Sequence, residues 1–381
     1  MPAATSYTLS NGVQMPSVGW TYRVRDQDTL DICILEALRS GYRMIDTATV
    51  YRNEAMIGNS LKKIFEQNLV PGLTRQDIFI TSKLAPKDQG YDTCYKAVLE
   101  SIKNLQVDYI DLYLIHWPGT ARLKLPDPKN ATNRMESWHA LEDLYHARKL
   151  RAIGVSNYTL PHLTQLVERP RRNHHSFDNN HAHDASSSDP SSSPGQTQTQ
   201  TYPHGARTMA IPHVHQFEMH PRLFQRDLVD YCQAHRIQVQ AYSSLGEGRL
   251  IVRSKLIGEK RASLDIMADL IQKYFSAPMQ GIAEDADITI KDEEDMDLDA
   301  FPVVAADEDP AEYAHKAARI LLRWGLQHGA VVIPKSSQPA RVRSNIDLFS
   351  FEIEPSDMSA LDAYSIEGER TRYCWDSTEV C

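Results

Sequence analysis

The stretch IDLYLIHW, residues 110–117, is a mostly apolar run with the length of a β-strand, and it ends in His116 and Trp117. Amphipathic patterns flank it at 94–105 and 135–148, where apolar residues recur every three or four positions, as on one buried helix face. A short strand between two longer helices is typical of a parallel sheet, because parallel strands need a crossover connection. The segment therefore predicts one β/α unit.

The same alternation runs through the chain from residue 17 onward. It predicts eight strands, at 17–22, 44–48, 78–84, 110–117, 152–157, 213–218, 239–243 and 330–335. The helical patterns lie at 29–39, 54–67, 94–105, 135–148, 160–168, 226–235 and 313–328. Eight such units predict an α/β fold of the (β/α)8 TIM barrel type.

Three segments lie outside this alternation. Residues 7–14 contain Asn11-Gly12, which predicts a β-hairpin with a type I′ turn that caps the bottom of the barrel. Residues 171–207 are rich in Ser, His, Gln, Thr and Pro and are expected to form a disordered insertion. Residues 254–310 are expected to form an enlarged acidic loop after strand seven, beginning with a helix at 262–274. We expect one domain over 1–381 with these two low-complexity insertions.

Charge and cysteine usage narrow the class of protein. The net charge is −9, and residues 284–299 hold nine acidic residues against one lysine, a local net of −8. The rest is therefore near neutral, which argues against a nucleic-acid or membrane partner. Five scattered cysteines suit reduced thiols, and no leader or stretch of about 20 apolar residues is visible. We expect a cytoplasmic monomer or weak dimer that acts on a small molecule.

Hydrogen-bonding or charged side chains end strand after strand. In a (β/α)8 barrel the active site is built at the carboxyl ends of the strands. Burying such groups costs free energy unless they find partners, so we expect them to meet one another and a polar ligand. The residues are Asp46, Lys83, His116, Asn157, Gln216, Tyr242 and Lys335.

Four residues form a candidate proton-transfer group. A free tyrosine has a pKa near 10, and a neighbouring ammonium such as that of Lys83 is expected to lower the pKa of Tyr51 toward neutrality. Asp46 is expected to pair with Lys83, while His116 donates a hydrogen bond to a substrate carbonyl. This arrangement stabilises a developing alkoxide, as carbonyl reduction requires. The hydride itself must come from a cofactor.

The motifs around these residues resemble those of the aldo-keto reductase family in content and order, in a fungal-type form with insertions. The matching segments are 45–48 (IDTA), 50–54 (VYRNE), 81–83 (TSK), 114–118 (LIHWP), 154–157 (GVSN), 242–246 (YSSLG) and 332–336 (VIPKS). The resemblance implies an NADP-dependent enzyme of the alcohol dehydrogenase (NADP+) type. It assigns proton donation to Tyr51, tuning of that proton to Asp46 and Lys83, and substrate positioning to His116.

The resemblance also implies NADPH as cofactor, with its carboxamide held by Ser156, Asn157 and Gln216 and its ring stacked on Tyr242. Lys335, Ser336 and Arg341 match positions that hold the 2′-phosphate, and two cationic side chains there favour NADPH over NADH. The remaining predicted cofactor contacts are Thr21, Asp46, Ser243, Leu245 and Asn345. The predicted substrate contacts are Tyr22, His116 and Trp117, with Tyr373 and Trp375 of the tail.

The chain departs from the family pattern at Trp20, in place of a glycine, and at His215 and Ser344. Several alternatives stay open. Each tetrad residue alone has an ordinary structural explanation, as a cap, a strand end or a packed ring. A non-catalytic, NADPH-binding regulatory subunit on the same barrel is the competing function. A metal site at the histidines of 174–183 is disfavoured by their spacing, and the insertions are also compatible with a mispredicted or intron-containing gene.

Overall fold

The computed structural model describes residues 6–21, 23, 26–169, 209–252, 266–275, 309–366 and 370–381. Tyr22 and the predicted insertion at 171–207 lie outside these residues. Of the predicted acidic loop at 254–310, only 266–275 and 309–310 are described. The helical part of that prediction is met by a helix at Met267–Phe275.

Eight parallel strands form one sheet that closes on itself. Neighbouring strands of this sheet pair in chain order from the first to the last. Parallel bridges from Val18 to Val332 and from Thr21 to Lys335 join the first of these strands to the last. The predicted (β/α)8 barrel is confirmed. Its strands are β3 (Trp20–Thr21), β4 (Met44–Asp46), β5 (Phe79–Leu84), β6 (Ile110–Ile115), β7 (Leu150–Ser156), β8 (Val214–Glu218), β9 (Gln238–Tyr242) and β10 (Val331–Val332).

Helices connect the strands and pack on the outside of the sheet. Those described are α1 (Gln27–Arg39), α2 (Glu54–Glu66), α3 (Tyr91–Leu105), α4 (Lys129–His146), α5 (Leu160–Val167), α6 (Arg226–Ala234), α7 (Met267–Phe275), α8 (Pro310–Gln327), α9 (Pro339–Ile346) and α10 (Pro355–Ile366). Helices α9 and α10 were not predicted. The sequence of α9 has few apolar residues, so its helical period is weak.

The N-terminal hairpin pairs β1 (Ser6–Thr8) with β2 (Gln14–Pro16) in antiparallel register. Leu9 and Met15 of this hairpin join a buried cluster with Met44 and Val331, the first residues of two barrel strands. The hairpin therefore caps the amino-terminal end of the barrel, as predicted.

The predicted type I′ turn in this hairpin is wrong. The Gly12 N–H donates to the Leu9 carbonyl at 2.8 Å, so the turn begins at Leu9 and its central residues are Ser10 and Asn11. Of residues 10–12 only Gly12 has a positive φ, of 85°. A type I′ turn needs positive φ at both central residues. Because the turn begins at Leu9 and includes Ser10, only Gly12 needs the left-handed conformation.

Side chains alternate between the barrel interior and the helix layer, as the two-residue period of a strand requires. Leu112, Leu114 and Val214 point inward to the apolar floor of the barrel. Gly154 on β7 has no room for a side chain, because a Cβ there would lie 2.2 Å from the Val214 carbonyl oxygen. A glycine at this position lets β7 and β8 approach. Within the described residues, no helix is long and apolar enough to cross a membrane.

Candidate active site

Three of the four predicted catalytic residues are placed by neighbouring strands. Asp46 ends β4, Lys83 lies near the end of β5, and His116 follows β6 directly. Tyr51 reaches the same edge through a 3₁₀ helix at Thr49–Tyr51. That turn is tied to β5 because the Thr49 hydroxyl donates to the Lys83 carbonyl at 3.0 Å.

Lys83 and Asp46 form a buried ion pair. The Lys83 Nζ lies 2.5 Å from Asp46 Oδ1 and donates to the Thr47 carbonyl at 2.8 Å. Both side chains are at most 1% exposed. Burial by itself lowers the pKa of Lys83, but the Asp46 carboxylate and the Tyr51 oxygen raise it above its ordinary value. The ammonium is therefore permanently charged at neutral pH.

The same ammonium lies beside the Tyr51 ring, and its positive charge acts on the Tyr51 phenol. Its Nζ lies 5.2 Å from the centre of the Tyr51 ring. Burial is the largest influence on the pKa of Tyr51 and raises it, and the opposing effect of Lys83 is smaller. The expected net lowering of this pKa is wrong for this state, because desolvation of the phenolate outweighs the lysine. Tyr51 consequently keeps its proton at neutral pH.

His116 is a neutral imidazole beside the tyrosine. Burial, aided by the positive charge of Lys83, lowers the pKa of His116 to about 3. Its ring centre is 5.9 Å from that of Tyr51 in an edge-to-face arrangement. Its Nδ1 is buried and has no hydrogen-bond partner among the described residues. A neutral histidine has one N–H to donate and one nitrogen to accept.

A chain of polar side chains continues from Asp46 across the barrel. The Gln216 Nε2 donates to Asp46 Oδ2 at 3.0 Å and to Gln240 Oε1 at 2.9 Å. Carboxylate oxygens only accept, so this contact fixes which end of the Gln216 amide faces Asp46. Gln240 is fully buried on β9 and was missed from sequence. Its position two residues before Tyr242, on the same strand face, was the available signal.

The residues predicted to hold a carboxamide lie together at the ends of β7 and β8. Asn157 has a left-handed φ of 61°, and its N–H donates to the Gln216 carbonyl at 2.9 Å. Its Nδ2 donates to the Ser156 hydroxyl at 3.1 Å and to the His116 carbonyl at 2.9 Å. The Tyr242 hydroxyl donates to Asn157 Oδ1 at 2.6 Å. Asn157 thus connects the predicted catalytic residues with the predicted cofactor residues.

Of the other predicted cofactor contacts, Thr21 lies inside the site, where its hydroxyl donates to Asp46 Oδ1 at 3.3 Å. Ser243 follows β9 with a φ of 48°, and Leu245 packs against the core. The substitution at Trp20 is accommodated on the outside of the barrel. Its ring is buried in the helix-layer cluster, and its Nε1 donates to the Ser336 carbonyl at 3.0 Å.

The residues predicted to bind a 2′-phosphate surround the start of α9. Lys335 is exposed beside Thr21, and Ser336 is buried, with its hydroxyl donating to the Gln338 carbonyl at 3.2 Å. Arg341 is partly exposed and Asn345 is buried within the helix. This cationic end of the barrel is open to solvent, whereas the carboxamide residues are buried.

Aromatic side chains border the site on the side away from the strands. The Trp375 ring centre lies 6.1 Å from that of His116 and 6.1 Å from that of Trp117. Trp375 belongs to a tail at 370–381, whose backbone is bound by Glu218, a role that sequence reasoning missed. Cys374 and Cys381 in this tail are free thiols. Tyr22, which was also predicted to contact the substrate, lies outside the described residues.

Comparison with known proteins gives one consistent result. The profile of the Aldo/keto reductase family matches residues 8–184 and 206–366. A glyoxal reductase of Bacillus subtilis (strain 168) is 31% identical over 366 residues, covering 95% of this chain and 94% of the relative. The aldo-keto reductase family 1 member A1 of Bos taurus is 31% identical over 372 residues, covering 95% and 89%.

Solved structures agree with the fold. An aldo-keto reductase from a Medee basin deep-sea metagenome library superimposes with a TM-score of 0.66 at 27% identity, covering 99% of this chain and all of that one. A Bombyx mori aldo-keto reductase crystallised in complex with NADP gives a TM-score of 0.68 at 24% identity, covering 98% and 96%. Together with the site geometry, these matches show that the chain belongs to the aldo/keto reductase family.

Proposed function

We propose that this protein reduces the carbonyl of an aldehyde or ketone to an alcohol with NADPH, reversibly, and that Tyr51 supplies the proton. The observation that carries the proposal is the position of one buried ammonium, that of Lys83, which is paired with the Asp46 carboxylate and lies 5.2 Å from the centre of the Tyr51 ring. A neutral His116 stands beside that phenol. A lysine with a purely structural role would need only its carboxylate partner, and not a phenol and an imidazole beside it.

The residues present suit a nicotinamide dinucleotide phosphate. Gln216 uses its N–H groups on Asp46 and Gln240, which leaves its Oε1 to accept from a carboxamide N–H. Ser156 and Asn157 lie beside it, and Lys335 and Arg341 offer the cationic groups that a 2′-phosphate prefers. When bound, the reduced nicotinamide supplies the hydride. The protein supplies position, orientation and the proton.

The proton chemistry follows from the burial of the site. Tyr51 stays protonated until negative charge develops on the carbonyl oxygen, at which point the phenol is the nearest acid. Lys83 then stabilises the phenolate that remains, and Asp46 keeps Lys83 charged and oriented. His116, with a pKa of about 3, acts as a neutral donor that orients the carbonyl and does not transfer its own proton.

The relatives support a small carbonyl substrate. One is named a glyoxal reductase, and the Bombyx mori structure holds NADP. We propose the same cofactor here, in a single barrel domain over 1–381 that works as a cytoplasmic monomer or weak dimer.

The test is a panel of aldehydes and ketones assayed by the loss of NADPH absorbance, with NADH in parallel. Turnover of at least one carbonyl with NADPH, and slower turnover with NADH, is the expected result. Tight NADPH binding with no turnover across the panel would refute catalysis and would instead favour a regulatory subunit on the same barrel.

A further inference from the structure

The tail at 370–381 crosses the carboxyl end of the barrel without forming a helix or strand. Hydrogen bonds join it to the barrel at several points. The His162 ring bonds to the Val380 carbonyl at 2.8 Å, and the Ser377 hydroxyl donates to the Asn157 carbonyl at 2.6 Å. The tail is therefore held by individual contacts, and its position depends on each of them.

Glu218, at the end of β8, makes two further contacts with the tail. Its Oε1 accepts from the Tyr373 N–H at 2.7 Å and from His220 Nε2 at 3.0 Å. Its Oε2 accepts from the Cys374 N–H at 3.1 Å. The side chains of Glu218 and His220 are both 0% exposed. A buried carboxylate that receives three hydrogen bonds is well stabilised, and two of the three come from the tail.

The residue that follows these two amides is Trp375. Its indole is 61% exposed, yet its ring centre lies 6.1 Å from that of His116. An indole held so close to the catalytic imidazole forms one wall of the space that a carbonyl substrate must enter. Trp117 forms the adjoining wall, edge-on to Trp375. Two indoles at a right angle suit a flat aromatic or apolar group.

We propose that Glu218 is a positioning residue that latches the tail over the barrel mouth and so makes Trp375 a determinant of substrate choice. The latch selects carbonyls that carry an aromatic group over small aliphatic ones. Glu218 acts through the Tyr373 and Cys374 amides and does not touch the reacting atoms. The proposal rests on the proposed reductase function.

The sharpest variant is Glu218→Gln, which keeps the shape of the side chain. A carboxamide can offer an oxygen to one tail amide but turns an N–H toward another donor, so the latch loses contacts without leaving a cavity. Ser377→Ala weakens the tail at a second point, and Trp375→Ala removes the wall itself. Glu379→Gln is the matched control, because Glu379 is an exposed carboxylate in the same tail.

The experiment compares these variants in the full chain with two substrates, 4-nitrobenzaldehyde and propanal. For Glu218→Gln and Trp375→Ala, we expect KM for 4-nitrobenzaldehyde to rise about tenfold, with kcat and the KM for propanal changed less than twofold. The double variant Glu218→Gln with Trp375→Ala should have a KM for 4-nitrobenzaldehyde no higher than that of either single variant. Hydrogen exchange at the Tyr373 and Cys374 amides should accelerate at least tenfold in Glu218→Gln and stay unchanged in Glu379→Gln.

Equal losses for both aldehydes, or unchanged exchange at the two amides, would overturn the latch. If Glu218→Gln fails to fold, Ser377→Ala must show the same substrate-dependent KM change, and its absence would also overturn the latch. A wild-type protein that turns over neither aldehyde nor any other carbonyl would refute the proposed function. Hydrogen exchange at the Tyr373 and Cys374 amides would still test separately whether Glu218 holds the tail.

Discussion

The polar layer inside the barrel and the tail that lies over it are built in opposite ways. The layer joins Lys83, Asp46, Gln216 and Gln240, whose strands are paired in register, so each side chain is placed by the sheet. The tail at 370–381 has no regular secondary structure and is placed by individual hydrogen bonds from side chains and backbone groups. We infer from this comparison that a layer fixed by the fold serves the proposed chemistry, while the tail influences which substrates reach it.

The largest effect is expected where the layer carries charge. Lys83→Met leaves the Asp46 carboxylate buried without its cation, and breaking a buried pair in this way costs about 3–5 kcal/mol. Catalysis should also fall about a thousandfold, because phenolate stabilisation is lost. Urea unfolding and kcat measurements check the two effects.

The double variant Lys83→Met with Asp46→Asn is the control for this experiment. Removing both charges should recover most of the stability, since no unpaired ion remains, while activity stays low. Recovery of activity together with stability would show that the pair is structural and would remove the distinction between the two regions.

Acid should weaken the barrel before it releases the tail. Burial lowers the pKa of His116 to about 3, of His213 to about 4 and of His215 to about 3. The unfolded chain binds protons at these histidines below about pH 6.5 and the folded chain does not, so stability falls as pH falls from 6.5. At pH 5 the loss is about 2 kcal/mol per histidine.

Urea unfolding at pH 7.5 and 5.0 measures this loss. His215→Gln should reduce this pH-dependent loss of stability by about 2 kcal/mol, the share of one histidine. Burial alone raises the pKa of Glu218, but His220 and the two tail amides lower it, so this carboxylate stays ionised at pH 5. Tail amides that exchange freely at pH 5, in protein that is still folded, would contradict this order of events.

The next largest effect is expected from removing a positive charge at the predicted 2′-phosphate site. Lys335→Ala or Arg341→Ala should weaken NADPH binding about tenfold and NADH binding hardly at all, because a charge-assisted hydrogen bond to the 2′-phosphate is lost. Fluorescence titration with both cofactors measures the difference. Equal losses for NADPH and NADH would remove the 2′-phosphate assignment.

The smallest effect is expected at Gln240, which orients the Gln216 amide. Gln240→Leu should weaken NADPH binding about threefold to tenfold, the value of one net hydrogen bond. Binding of 2′-phospho-ADP-ribose, which lacks the nicotinamide, should not change. Gln238→Leu is the matched control, because Gln238 lies on the same strand as Gln240 but its Nε2 donates to the Gly329 carbonyl. A loss shared by both ligands would mean general damage to the barrel.

These predictions depend on features that the sequence revealed unequally. The strand–helix alternation gave the barrel, and the polar strand ends gave Asp46, Lys83 and His116, because both depend on local period and position. Short strands were predicted too long, as at β10, where only Val331–Val332 keeps ladder geometry. Strand-like residues continue beyond the point at which the sheet stops pairing.

The features that were missed depend on contacts between distant parts of the chain. Gln240 is one of two glutamines on its strand, but only the folded barrel shows that it meets Gln216, 24 residues earlier. Glu218 and the Tyr373 amide are 155 residues apart in sequence, and no local pattern joins them. The net pKa of Tyr51 was predicted in the wrong direction because desolvation depends on complete burial, which a motif does not contain.

The most direct test of the central claim, that Tyr51 beside the polar layer is the proton donor, is a single-turnover measurement of carbonyl reduction by NADPH-loaded wild type and Tyr51→Phe. The account predicts a fall of about a thousandfold in the rate of NADPH oxidation, with an unchanged Kd for NADPH. A Tyr51→Phe variant that reduces the carbonyl at a rate close to that of wild type would contradict it.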